Sequence, residues 1–344
     1  MKYILNKLPV KTTNNFKIND LKVELDLPKK YDFNEYNITD NSEITISKKI
    51  SNKKLTSKIG LEFNKYLELN ITIPKNKQIK EPIFLSYDFK DDNALINKIN
   101  LIYEENSSCD FIIIYKSLDY GNHFHYLLES TKSNDNSKGT ISYINLMNDN
   151  STNFIAIEND VLKQSSITHN IIDLNSKLRV YNIYSNVYEN ANNYINNIYL
   201  GNNTNIIDMN YYLNNIGENS KNIMRVEGTL TDNSSKTFRG TIDFLEGSNN
   251  SIGDESENCI LLSDEATSRS LPQMLCHEEN VSGTHGVSSG KIDEDKLFYI
   301  MSHGYSKKEA EKLIIMSKFK NILNEINNSE IQEQIQYMIE DKLS

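Results

Sequence analysis

From about residue 55 to residue 262, hydrophobic and polar positions alternate with a period of two in short runs such as residues 67–73 and 141–146. That period is expected of β-strands with one face turned inward. Small polar corners interrupt the runs at Asn106-Ser107, Asn150-Ser151, Asn175-Ser176, Asn203-Thr204 and Asn233-Ser234, at intervals of 44, 25, 28 and 30 residues. Most of these intervals match one coil of a β-solenoid, and the first spans two. Asparagine suits such corners because it tolerates left-handed backbone angles and its amide bonds to neighbouring main chain. A β-sandwich with irregular loops is the alternative, but the turn every 8–12 or so residues that sandwiches show is not clean.

The texture differs on either side. Residues 1–50 are polar and mixed, broken at Leu8-Pro9 and Leu27-Pro28, because a residue before proline is pushed out of the helical region. They read as an irregular or helical N-terminal cap, residues 51–290 as the parallel β-helix core, and residues 291–344 as a C-terminal α-helical domain. A short helix from Asp293 to Ser302 should end at Gly304 in a left-handed cap. Ser306 and Glu309 form a capping box, and Ala310, Leu313, Ile314, Phe319, Ile322, Leu323 and Ile326 follow with helical spacing. Ser329 and Gln332 repeat the capping pattern before Ile331, Ile335, Met338 and Ile339.

With 344 residues, the chain is longer than one compact core usually holds, so an elongated domain or two domains are expected. Lys and Arg number 37 against 47 Asp and Glu, a net charge of −10. That balance argues against nucleic acid and anionic membrane as partners, since both attract cations. No apolar run reaches the roughly 20 residues that a bilayer crossing needs. The opening residues are too charged for a secretion signal, so a cytoplasmic protein is expected. Cys109, Cys259 and Cys276 are odd in number and widely spaced; they read as buried, reduced thiols and not as a disulfide framework or a CxxC metal site.

The six histidines form no HExxH, and the chain carries no Gly-rich phosphate loop, GxSxG elbow or zinc spacing. His123 and His125 would share a strand face and pinch a metal, or serve as ordinary polar strand residues. Cys276 and His277 point to opposite faces and do not chelate. Asp173, Glu189 and Asp208 show no common register, which leaves a β-helix carbohydrate enzyme with stacked acids as an alternative from another class. His285 sits where strand texture gives way to helix, between Gly283 and Gly286, which permit another backbone to come close. A histidine in a glycine turn is otherwise commonly structural.

The ordered set Lys236-Thr237-Phe238-Arg239-Gly240-Thr241-Ile242, Cys259-Ile260-Leu261-Leu262-Ser263-Asp264-Glu265-Ala266, Leu271-Pro272, Asn280-Val281, Thr284-His285-Gly286, Gly290, Leu297-Phe298-Tyr299-Ile300-Met301-Ser302 and Gly304 resembles the SufB/SufD family of iron–sulfur cluster assembly proteins. The close match runs over about residues 236–320, with a looser one upstream through Pro82-Ile83 and Glu105-Asn106-Ser107. The resemblance implies a right-handed parallel β-helix followed by a helical domain. It also implies a complex in which the ABC-type ATPase SufC docks on the C-terminal helices and SufB and SufD pair through their β-helix ends. ATP would be hydrolysed by that partner, because this chain has no phosphate loop, so the chain itself would be a non-catalytic scaffold.

Asp264-Glu265-Ala266 stands where SufB carries a scaffold cysteine, and Gly286 where SufB tends to have glutamate, so the chain is more like SufD. His285 then falls on the SufD histidine placed at the heterodimer interface. Gly283 replaces a cysteine that many SufD chains have, and His303 stands for a family arginine. A cluster takes about four ligands, mostly thiolates. The expectation is therefore a transient iron–sulfur cluster shared with a partner subunit, with His285 as one candidate ligand and Leu297, Phe298 and Tyr299 as the ATPase-docking face, unless those three are plain helix core. A minimal homodimeric SufB/SufD scaffold acting with SufC alone is the alternative within the family.

Overall fold

A computed structural model describes residues 1–31, 36–39 and 41–343. Its strands form two nine-stranded sheets in which every second strand along the chain joins the same sheet, so the chain winds as a flattened solenoid. The first strand of each sheet, Tyr36–Ile38 and Thr45–Ser51, pairs antiparallel, and the remaining eight of each sheet are parallel. Register partners lie 26 to 32 residues apart, from Ser166 over Asn192 to Ser235 over Thr267. The sandwich alternative is excluded because, from Tyr66 to Gly290, each strand pairs in parallel with the strands one coil away and not with the next strand along the chain.

The corners explain the uneven spacing in the sequence. Asn76, Asn106, Asn136, Gln164, Asn190, Asn219 and Asn250 all take positive φ and stack along one edge of the solenoid. Their amides bond to the next coil, as in Asn106 N to Asp135 O at 3.0 Å and Asn219 N to Asn249 O at 2.9 Å. Side chains repeat the contact, with Asn106 Nδ2 donating to Asn76 Oδ1 at 3.0 Å and Asn219 Nδ2 to Asn190 Oδ1 at 3.1 Å. Asn203, Asp232 and Ser176 belong to the opposite edge. The 44-residue interval from Asn106 to Asn150 therefore joins two different edges and is not a double coil.

Inward-facing aliphatic and aromatic residues from Tyr36 to Ala266 form one continuous core down the lumen. Both outer faces are partly covered as well. On one, Leu5, Leu55, Ile59, Leu61 and Phe63 pack against Phe124, Tyr126, Phe154 and Val180. On the other, Ile315, Phe319, Ile322, Ile335 and Ile339 pack against Ile144, Ile172, Ile198 and Leu200. Strands buried on two sides lose their alternation, as Phe124–Ser133 does, with six buried residues in succession.

The first fifty residues, expected to be irregular or helical, contain strands instead. Lys2–Leu5 pairs antiparallel with Leu21–Glu24, and among the described residues of this segment a single 3-10 turn at Asn14–Phe16 is the helical content. This ribbon is strapped to the solenoid by buried polar groups. Asn6 Nδ2 donates to Asp208 Oδ1 at 2.6 Å and Asn6 Oδ1 accepts from Asn182 at 2.7 Å. Arg239 grips both Asp208 oxygens at 2.8 Å and donates through Nε to Ile18 O.

After Gly290 come three helices: α1 (Glu294–Ser302), α2 (Lys307–Leu323) and α3 (Ser329–Lys342). Asp293 caps α1, and Gly304 takes φ 96° just beyond it. The Ser306–Glu309 capping box is formed. The third cap is Asn328, one residue before the expected Ser329; its Oδ1 accepts from Ile331 N, while Gln332 bonds back to Ile326 O. Asparagine and serine cap equally well, so the register of the first turn decided which one does.

Arg239→Ala should cost about 3–5 kcal/mol, because it strands the Asp208 charge in the interior, and should speed protease cleavage within residues 1–24. Urea unfolding and timed proteolysis would show it. Arg239→Met with Asp208→Asn should recover part of the loss, and a loss no larger than that of a surface substitution would contradict the strap.

Candidate functional site

The two ends of the solenoid are built differently. Antiparallel strands terminate the parallel ladder at the first coil. At the last coil, Thr267–Cys276 and Ser282–Gly290 end their sheets, and among the described residues nothing pairs with their far edges. Of Ser282–Gly290 only Val287 is half-buried; every other residue is exposed.

His285 lies on this uncovered strand, and its neighbours fix which way it faces. A Cβ on Gly283 would meet Met274 Sδ at 2.2 Å and Phe244 Cε2 at 3.3 Å, so position 283 looks into the lumen. Thr284 faces outward and donates to Asp254 Oδ1 at 2.8 Å. Alternation then returns His285 to the lumen side, directly over its register partner Glu255.

Under that rung lies an acidic pair that sequence reading missed. Glu257 is answered by Lys236 Nζ at 2.6 Å, Tyr199 OH at 3.0 Å and Ser270 Oγ at 2.9 Å. Glu255 is 1 % exposed, and neither of its oxygens has a hydrogen-bond partner among the described residues. Burial, and next the charge of Glu257, push its carboxyl up to about 8. The room for it exists because residue 240 is glycine; a Cβ there would stand 2.0 Å from Oε1. The signal was present as Glu255, Glu257 and Cys259 at successive inward positions of one strand, but acids at such spacing read as a solvated face until the strand's other side is known.

The remaining candidates are placed elsewhere. His123 and His125 do share a face, since both rings pack near Phe89. They do not converge on one point: His123 Nε2 meets Asp119 at 2.9 Å, and His125 is held between Asn153 and Asn97 at 2.7 and 3.1 Å. Burial lowers His125 to about 3. His277 reaches Asp243 on the outer face at 3.6 Å. Asp173 pairs with Arg179 in the lumen, Glu189 with Lys163 on a corner and Asp208 with Arg239 under the N-terminal strap, so these three acids line no common groove. No cluster of three or more His, Cys, Asp or Glu among the described residues is placed to hold a metal ion.

Cys109 and Cys259 are buried, whereas Cys276 is exposed. It closes the last strand of its sheet, where no further coil covers it. On α1 no residue is buried; Leu297 is half-buried, and Phe298 and Tyr299 are 73 % and 65 % exposed. His303 is tied to its own helix end, with Nδ1 2.8 Å from Tyr299 O. No helix among the described residues is long and apolar enough to cross a membrane.

The family described as SUF system FeS cluster assembly, SufBD core domain, matches residues 87–318. The chain is 23 % identical to the iron–sulfur cluster assembly protein SufD of Bacillus subtilis over 281 residues, which is 79 % of this chain and 63 % of that protein. It is 29 % identical to an iron–sulfur cluster assembly SufBD family protein of Pyrococcus horikoshii over 41 % of this chain and 31 % of the relative. It is 23 % identical to SufD of Escherichia coli over 31 % and 25 % respectively. The chain thus spans less than two-thirds of the length of these curated relatives. The matched region takes in the coils from Ala94 onward, α1 and most of α2.

Two outcomes follow from the environments of these groups. Burial raises the Cys109 thiol to about 12 and raises Cys259 as well, so at pH 8 a thiol reagent should label Cys276 first and the other two only on unfolding; peptide mass spectrometry reads this. Glu255 is neutral in both states below its ordinary value of 4.5, and between there and about 8 folding takes up a proton. Stability should therefore fall as pH rises through that window, by up to about 1.4 kcal/mol per unit. Glu255→Gln should flatten the fall in urea titrations at pH 5 and 8, and an unchanged slope would refute it.

Proposed function

The chain belongs to the SufBD core family of the SUF iron–sulfur cluster assembly system, and within it we propose that this protein is a SufD-like scaffold subunit. It would work with a SufB-type paralogue and a SufC-type ABC ATPase. The observation that carries the reading is His285, turned toward the lumen on the last coil of the solenoid, where among the described residues nothing pairs with the end strands.

Two long edge strands with unanswered backbone groups are a standing template for another chain. The chain manages its other surfaces with antiparallel strands, an N-terminal ribbon and two packed helices. The uncovered end is therefore read as the surface that receives the second scaffold subunit. The cluster is cargo here. It takes about four ligands, mostly thiolates, and this end offers one imidazole, so the partner supplies the rest across the seam. An imidazole ligand must be neutral at its coordinating nitrogen.

Helix α1 supports the other half of the reading. Phe298 and Tyr299 stand in solvent, and Tyr305 and Leu313 continue the apolar surface onto the start of α2. Exposed aromatic residues at this density mark a docking surface more often than a solvated helix. ATP hydrolysis by the docked partner would reach the solenoid through α2 and α3, which pack on its outer face.

His285→Ala should abolish iron–sulfur maturation in cells that depend on this chain while leaving unfolding unchanged, since the side chain is exposed. Phe298→Ala should weaken co-purification of an ABC-type ATPase by about tenfold or more without loss of thermal stability. Normal maturation in the first variant, or undiminished co-purification in the second, would count against the corresponding part of the reading.

A further inference from the structure

A histidine that binds metal through one ring nitrogen normally fixes the other against a carboxylate or carbonyl, and the rung beneath His285 holds a group suited to that task. Glu255 and His285 are register partners on neighbouring parallel strands, which run about 4.8 Å apart. Both face the lumen, as the contacts at Gly240 and Gly283 establish. The Glu255 oxygens have no partner among the described residues, whereas the adjacent Glu257 is fully occupied by Lys236, Tyr199 and Ser270. An unanswered carboxyl in a protein interior is costly, and Gly240 keeps the space that it fills.

From this juxtaposition we propose that Glu255 is the positioning residue of His285: it accepts the N–H of the inward ring nitrogen and so presents the outward nitrogen at the open end of the solenoid. The inference rests on the reading of His285 given above and adds the group that selects its tautomer. The His285 side chain is exposed and has room to turn, because among the described residues no further strand covers it. Lys236 is the cation on the neighbouring inward positions and is already committed to Glu257 and Ser270, so it does not compete for Glu255.

The test uses the full chain with 15N-labelled histidine, its ring nitrogens observed through long-range proton correlation and those of His285 assigned from His285→Ala. The wild type should show one fixed tautomer for His285. Glu255→Ala and the shape-conserving Glu255→Gln should both move the His285 pair toward the averaged shifts of a free imidazole, with the signals of His123, His125 and His169 unmoved. A merely structural role would disturb those three as well. Identical His285 signals in the wild type and both variants would overturn the proposal. Iron–sulfur maturation separates it from the wider reading. Glu255→Ala should lower maturation by about 10–100-fold, the usual effect of losing an outer-shell partner. Full maturation with His285→Ala would reject the site itself, whereas loss there with unchanged ring signals in the Glu255 variants would reject the positioning role alone.

Discussion

Stacking in parallel register governs this molecule. Each inward residue sits on the equivalent residue of the coil before it and under that of the coil after, so any polar group placed inside must be answered by a rung above, a rung below or the opposite wall. The lumen shows that rule at work. Arg179 meets Asp173, His169 meets Glu129, and Lys236 meets Glu257, all fully buried. Burial alone would raise the Glu129 carboxyl, but His169, Thr131 and Tyr143 together hold it below the ordinary range. At the corners the same rule produces the asparagine ladder, where one geometry repeats at every coil.

A stack governed in this way has to end, and its two ends are built differently. At the first coil, strands that reverse direction terminate the parallel ladder. At the last coil no such strand follows: among the described residues the end strands are uncovered, His285 has no strand above it, and the Glu255 oxygens have no hydrogen-bond partner. The same termination that puts His285 on the last rung, over Glu255, also leaves two strand edges without a partner among the described residues. On the proposed reading, site and interface would be one feature of the fold.

One outer face is partly covered by the N-terminal ribbon, fastened by Asn6, Asp208 and Arg239, and the other by α2 and α3. Helix α1 has no buried residue. The motif residues from Lys236 to Gly240 now have separate physical reasons: Lys236 neutralises Glu257, Arg239 clamps the strap on the outer face, and Gly240 makes room for Glu255.

The sequence by itself determined the period-two strands, a coil length near thirty residues and the helical tail with its Ser306–Glu309 box, and it singled out His285 as a candidate. Each of these is written in residues close together in the chain or recurring at a fixed interval. It could not assign corners to edges, because Asn106 and Asn150 look alike until the winding is known. Nor could it show that Cys276 is exposed, that Asn328 and not Ser329 caps α3, or that the first fifty residues form strands. Tertiary structure alone decided that Glu255 lies beneath His285 and unanswered, since that depends on Gly240 from the opposite wall and on the absence of a further coil, both of them contacts between distant parts of the chain.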